Sequence, residues 1–249
     1  MTLKEPPAKR GENYPLLRKS LAILAASYLG PEGFGNEQTG LRAWPAPLLE
    51  AVRRGELEGI HWSLVSASDP SRFARMDLMC RLGLMAAELL DAGFDTMPGA
   101  RRERVGVCVE TFTGSLDTDV RFLQTPRPSL FAYTLPSTLV GEVCIRYRLK
   151  GPVLCLVSPD GAGNSALAEA ADWLQQNDAD ACICLGCEAL DRGIAEAAGL
   201  PDHLRLRDWH ACAVLVGQQE GNPREKPLTA GSLAEICLRL SRIYAVGGR

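Results

Sequence analysis

The sequence predicts an α/β fold with a mostly parallel sheet flanked by helices. Short apolar runs of strand length alternate along the chain with amphipathic stretches at helical spacing. Between Phe131 and Leu190 the order is helix, strand, small-residue turn, helix, strand, which is the order of a parallel βαβ unit. Composition agrees: 249 residues, 46% apolar and 23% charged, suit an ordinary globular chain.

The first core strand is Ser20 to Tyr28, bounded by Gly30-Pro31 and Gly33. Residues 1–19 precede it as a polar, Pro-containing tail, and 20–249 are expected to form a single domain. Gly30 to Pro45 reads as loop, Leu48 to Arg54 as a short helix, and His61 to Ser68 as a weak strand or loop. Asp69-Pro70-Ser71 is a helix-start signal. From Arg72 to Ala92 the residues Phe73, Met76, Met79, Leu82, Leu84, Met85 and Leu89 recur at helical spacing, and Gly93 offers a stop. Arg104 to Glu110 is β-prone, Thr111 to Ser115 is a turn, and Leu116 to Leu123 is a short helix.

The stretch from Phe131 to Leu190 then predicts a helix over 137–147, ended by Gly151-Pro152, and a strand from Val153 to Val157. The turn Ser158-Pro159-Asp160-Gly161-Ala162-Gly163 leads to a helix over Asn164 to Gln176 and a strand over Ala181 to Leu185. That turn lies where open α/β sheets place ligands and nucleophiles. Asp191 to Ala197 is helical, Trp209 to Gly217 a buried strand, Gln218 to Ala230 a polar loop, and Ser232 to Tyr244 a terminal helix.

Net charge is −3, which gives no argument for nucleic acid or an anionic membrane as partner. No apolar run approaches a membrane span, and the N-terminus has no apolar signal region. Most of the nine cysteines lie inside apolar runs, as buried free thiols do in a reducing compartment, so the expected location is cytoplasmic.

Several local segments, in order, resemble the N-terminal half of a β-ketoacyl synthase of the thiolase superfamily. They are Arg72-Phe73-Ala74-Arg75-Met76-Asp77 before a long helix, and Arg104 to Val109 followed by Thr111-Phe112-Thr113-Gly114-Ser115, where the first glycine of the family's turn is not kept. Phe131 to Gly141 is similar to the family's Phe-Pro-x-Thr-Leu-Pro-Asn segment, with Ala132 and Ser137 as departures. Gly151-Pro152, Leu185-Gly186-Cys187-Glu188 and Arg207-Asp208-Trp209 complete the set, which covers about Ser20 to Gly217. The resemblance implies half of the duplicated βαβαβ thiolase fold.

Two departures bear on function. The family's nucleophilic cysteine, activated at a helix N-terminus, falls on Asp160 here, which cannot form the acyl thioester. The two histidines and the lysine that serve decarboxylation come from the family's second half. Only His203 and His210 follow Asp160, in unrelated surroundings. The resemblance therefore implies a chain without condensation chemistry of its own, similar to a chain-length factor. Its partner would be a full-length ketosynthase, or a second copy of itself, paired through Val153, Leu154, Cys155, Leu156 and Val157. Acyl carrier protein is a further possible partner, and no cofactor or metal is expected. Phe112, Phe131, Thr134 and Ala162 are candidates for an acyl tunnel or interface.

Other readings remain open on the sequence. Asp160 is a good helix cap, and it is alternatively a general base in altered acyl-thioester chemistry, although no histidine converges on it. Phe112 and Phe131 also read as packing residues, which large aromatics beside a core strand more often are. Cys182, Cys184 and Cys187 have a spacing that invites a metal, but Cys182 and Cys184 alternate inside an apolar strand, as core residues do. A phosphate loop at Asp160 to Gly163 lacks the rest of its fingerprint. Arg146, Arg148 and Lys150 could meet an acidic carrier protein or simply form a solvated face.

Overall fold

The computed structural model describes residues 21–67, 72–90, 102–158, 164–205, 209–218 and 237. The polar tail over 1–19, the Asp69-Pro70-Ser71 start and the Gly93 stop lie outside these residues. So do residues 159–163 with Asp160 and Ala162, the pair Arg207-Asp208, the loop from 219 to 230, and the terminal helix apart from Cys237.

The strands are β1 (Leu21–Gly30), β2 (Gly33–Asn36), β3 (Gly40–Arg42), β4 (Val105–Thr111), β5 (Val153–Val157), β6 (Ala181–Glu188) and β7 (His210–Gln218). They form one sheet in the order β3-β2-β1-β7-β6-β4-β5. The helices are α1 (Ala46–Arg53), α2 (Leu78–Leu89), α3 (Leu116–Gln124), α4 (Pro128–Phe131), α5 (Thr138–Tyr147), α6 (Asn164–Gln176), α7 (Arg192–Ala197) and α8 (Asp202–Arg205).

The α/β class holds, but the sheet is mixed rather than mostly parallel. Only β4 pairs in parallel, with β5 on one side and β6 on the other. β7 is antiparallel to both β1 and β6, and β1, β2 and β3 form an antiparallel meander. The reason lies in the connection after β6. Glu188 at the end of β6 is paired with His210 at the start of β7, so that connection returns on the end it left by instead of crossing the sheet. The β5–α6–β6 unit has parallel strands, yet β4 lies between them.

Alternation sends odd and even residues of the central strands to two cores. Val105, Val107, Val109, Ile183, Leu185 and Leu215 join α2 and α5 on one face. Cys108, Cys182, Cys184, Val214 and Val216 join α6 on the other.

Three segments differ from their expected form. Gly30 to Pro45 contains β2 and β3. Its glycines are strand residues: a Cβ at Gly35 would lie 2.0 Å from the Gly40 carbonyl oxygen, so the strands pair closely only without one. His61 to Ser68 holds a 3₁₀ turn, Trp62–Leu64, with Trp62 buried. The helix expected from Arg72 is split into a 3₁₀ turn, Phe73–Arg75, and α2. The break is Asp77, whose Oδ1 accepts the Cys80 N–H at 2.9 Å and caps α2.

Candidate functional site

The carboxyl ends of β4, β5 and β6 meet the amino end of α6. This is where the sequence places Asp160 and Ala162, both outside the described residues. The turn after β4 is fixed from below by Glu188, the last residue of β6, which is 2% exposed. Its Oε1 accepts the Phe112 N–H at 2.5 Å, and its Oε2 accepts the Thr113 N–H and hydroxyl, each at 3.0 Å. The Gly114 N–H donates to Thr111 Oγ1 at 2.9 Å. Gly114 has φ +56, a conformation that favours glycine. The Ser115 hydroxyl donates to the Thr134 carbonyl at 2.7 Å, so Thr134 joins the site through its backbone.

Glu110 is the residue that sequence reading passes over. It ends the β-prone run, where a carboxylate looks like the polar close of a strand. In the fold it lies on the α6 face, fully buried, and its Oε2 accepts the Ala166 N–H at 2.9 Å. Fifty-six positions separate the two residues, so no local pattern encodes the contact.

The other candidates gather on β5, which among the described residues is the sheet edge and pairs with β4 alone. Leu154 and Leu156 pack towards the α6 face and Cys155 towards the α2 face. Val153 and Val157 are 53% and 64% exposed. The Pro152 carbonyl accepts the Val107 N–H, and the Ser158 N–H donates to the Thr111 carbonyl, each at 2.9 Å. Backbone alternation then turns the N–H and C=O groups of Val153, Cys155 and Val157 to the free edge. Exposed Phe131, Leu135 and Ile145 add apolar surface from α4, α5 and the turn between them. Phe131 lies tilted against Phe122 with ring centroids 5.8 Å apart, whereas Phe112 is half-buried in the clamped turn.

The cysteines do not converge. The Cys182 and Cys184 thiols face the carbonyls of Ala170 and Ala166 in α6, while Cys187 faces the Met79 carbonyl in α2, across the sheet. Among the described residues no three His, Cys, Asp or Glu side chains are placed to hold a metal ion. All nine cysteines are free thiols. Burial pushes the Cys155 thiol up to about 11 and Cys108 and Cys182 up to about 12, so none of these three is poised as a nucleophile. His203 lies exposed on α8. Of the basic trio, Arg146 is committed to Glu88 at 2.9 Å and lies over the Trp62 ring, while Arg148 and Lys150 are exposed.

Among the described residues no helix is long and apolar enough to cross a membrane. Solved structures share this fold. The ishigamide ketosynthase/chain length factor matches with TM-score 0.56 and 20% identity, over 84% of this chain and 64% of that one. A β-ketoacyl synthase from Burkholderia phymatum matches with TM-score 0.55 and 16% identity, over 81% of this chain and 59% of that one. This chain therefore spans less than two thirds of either. The complex of the ketosynthase ApeO with its chain length factor ApeC, from Xenorhabdus doucetiae, matches with TM-score 0.56 and 15% identity, over 90% of this chain and 92% of that one. No curated protein matches the sequence. The family model described as "Beta-ketoacyl synthase, N-terminal domain" matches residues 61–198, more than half of the sequence, and takes in the clamped turn, β5, α6 and Glu188. The chain thus belongs to the β-ketoacyl synthase family, through that family's N-terminal domain.

Proposed function

We propose that the protein is a ketosynthase-like accessory subunit of the chain-length-factor type, without condensation chemistry of its own. It acts in fatty-acid, polyketide or aryl-polyene-type chain synthesis, on an acyl chain carried by acyl carrier protein. The observation that carries this reading is the free edge of β5: five apolar residues in a row, three of them turning unpaired backbone groups outward, with exposed Phe131, Leu135 and Ile145 nearby. A long apolar edge without a charge invites another strand, and an apolar patch invites a matching surface. The partner that fits is a full-length ketosynthase. The names of the structural relatives, which include a ketosynthase bound to its chain length factor, support that choice.

The rest of the site supports a non-condensing role. Asp160 stands at the family's nucleophile position and cannot carry an acyl thioester. The thiol nearest the edge, Cys155, is held protonated by burial. Phe131 and Val157 would then be contact residues, and Phe112 and Thr134 would shape the acyl tunnel from the clamped turn.

The test is copurification of the tagged chain with the ketosynthases and carrier proteins of its own cell, followed by sedimentation of the purified product. A stoichiometric heterodimer with a ketosynthase is expected. A strict monomer that binds neither a ketosynthase nor a carrier protein overturns the proposal, and a homodimer transfers the β5 edge to a second copy. Turnover of acyl carrier protein thioesters by the isolated chain, abolished by Asp160→Asn, would replace it with altered acyl chemistry.

A further inference from the structure

We infer that Glu188 is a positioning residue that sets how long an acyl chain the protein accepts, acting through the turn after β4. This role rests on the proposed function, in which Phe112 and Thr134 shape the acyl tunnel.

Glu188 ends β6 and is buried. Three donors of the turn converge on its carboxylate: the Phe112 N–H, the Thr113 N–H and the Thr113 hydroxyl. Successive backbone N–H groups that grip one carboxylate form a strong, directional hold, and the backbone that carries them has little freedom to move. The hold passes on from the turn. The Ser115 hydroxyl donates to the Thr134 carbonyl at 2.7 Å. Further along α3, the Thr118 hydroxyl donates to Asp77 Oδ2 at 2.7 Å, which ties the far side of the turn to the cap of α2. Phe112 and Thr134 thus hang on one chain of bonds that ends on Glu188.

The same turn reaches the open edge of the sheet. A Cβ at Gly114 would lie 3.1 Å from Pro136 Cγ and 4.0 Å from Val157 Cγ2, so the turn stands between the Thr134 segment and the exposed end of β5. An acyl chain that arrives from a partner across β5 meets the turn there. A wall built from a turn tells neighbouring chain lengths apart only as far as it is held still, because each methylene admitted or refused changes binding by about tenfold or more. Glu188 holds the wall and touches no acyl chain itself.

The experiment combines the full chain with the ketosynthase that copurifies with it and malonyl-loaded acyl carrier protein, and sizes the carrier-bound products by mass spectrometry. Glu188→Gln keeps the shape and turns an amide NH₂ towards donors that need an acceptor. The heterodimer should still form, and the ratio of the main product to its longer neighbour should fall about tenfold. Thr113→Val removes one of the three donors and should move the ratio the same way by a smaller factor. Arg42→Ala, on the opposite edge of the sheet, should leave it unchanged. A Glu188→Gln heterodimer with the wild-type product distribution overturns the inference, as does an equal shift in Arg42→Ala. Should Glu188→Gln fail to fold or to pair, Thr113→Val decides by the same readout. Amide hydrogen exchange tests the hold in the isolated chain: the Phe112 and Thr113 N–H groups should exchange about tenfold faster in Glu188→Gln, and unchanged exchange overturns the inference. A wild-type chain that binds no ketosynthase loses the proposed function and this role with it. A chain that binds one but makes unchanged products in both variants keeps the function and loses only the role of Glu188.

Discussion

The two edges of the sheet are built in opposite ways. β3 is three residues long, begins on Gly40 and ends on exposed Arg42, whose guanidinium lies 4.6 Å over the Phe34 ring. Short length and a cation are common means of blunting an edge against stray pairing. β5 is five residues long and wholly apolar, and its two ends are exposed valines. Nothing on it discourages another strand. One edge is blunted, and among the described residues the other is left open, as the proposed pairing with a partner requires.

The largest effect should come from closing the open edge. Val157→Pro removes an N–H that points outward, so the ladder to β4 stays intact while a ladder to a partner cannot form there. Affinity for the partner ketosynthase, or for a second copy, should fall about a hundredfold, near 2.7 kcal/mol, in sedimentation or calorimetry. Unchanged affinity would remove β5 from the interface.

Next comes Gly151→Ala. A Cβ at Gly151 would lie 2.4 Å from the Val105 carbonyl oxygen, so the start of β5 must move away from β4. A cost of about 2 kcal/mol in urea unfolding is expected, with weakened partner binding as the edge shifts.

The thiols grade from edge to centre. The pKa of Cys155 on β5 is pushed to about 11, and those of Cys108 on β4 and Cys182 on β6 to about 12, by burial in each case, against an ordinary 9.0. The unfolded chain therefore loses these protons first. Their contribution is complete below pH 9 and is lost as pH rises towards 11 and then 12. Urea unfolding above pH 9 should show stability falling by about 1.4 kcal/mol per pH unit for each thiol titrating, and Cys155→Ser should remove the Cys155 share of that slope.

The smallest effect belongs to the blunted edge. Arg42→Ala should cost only about 0.5 kcal/mol and leave partner affinity unchanged. A loss of affinity there would overturn the contrast between the edges.

Much of the local order was legible without coordinates. β5 and α6 lie where the apolar runs and small-residue turns placed them, and α5 begins one residue later. The elements that were misread share a cause. Phe34 and its flanking glycines read as loop because glycine is scarce in strands, but here its lack of a Cβ lets β3 approach. The long helix from Arg72 was too long because apolar spacing runs through Asp77, and only the bond to the Cys80 N–H reveals the cap. The site was half legible. The turn after β4 and the edge strand came from pattern, whereas Glu110 and Glu188 gained their roles from partners 56 and about 75 positions away.

The sequence by itself determined most of the elements, their apolar faces and the family, because strand and helix periodicities are set by neighbours a few residues apart. Tertiary structure alone decided the sheet order, the antiparallel return of β7, which edge stays open among the described residues, and which buried carboxylate accepts the Ala166 N–H. Those depend on which distant segments share space, and a buried carboxylate takes its role from the donors around it.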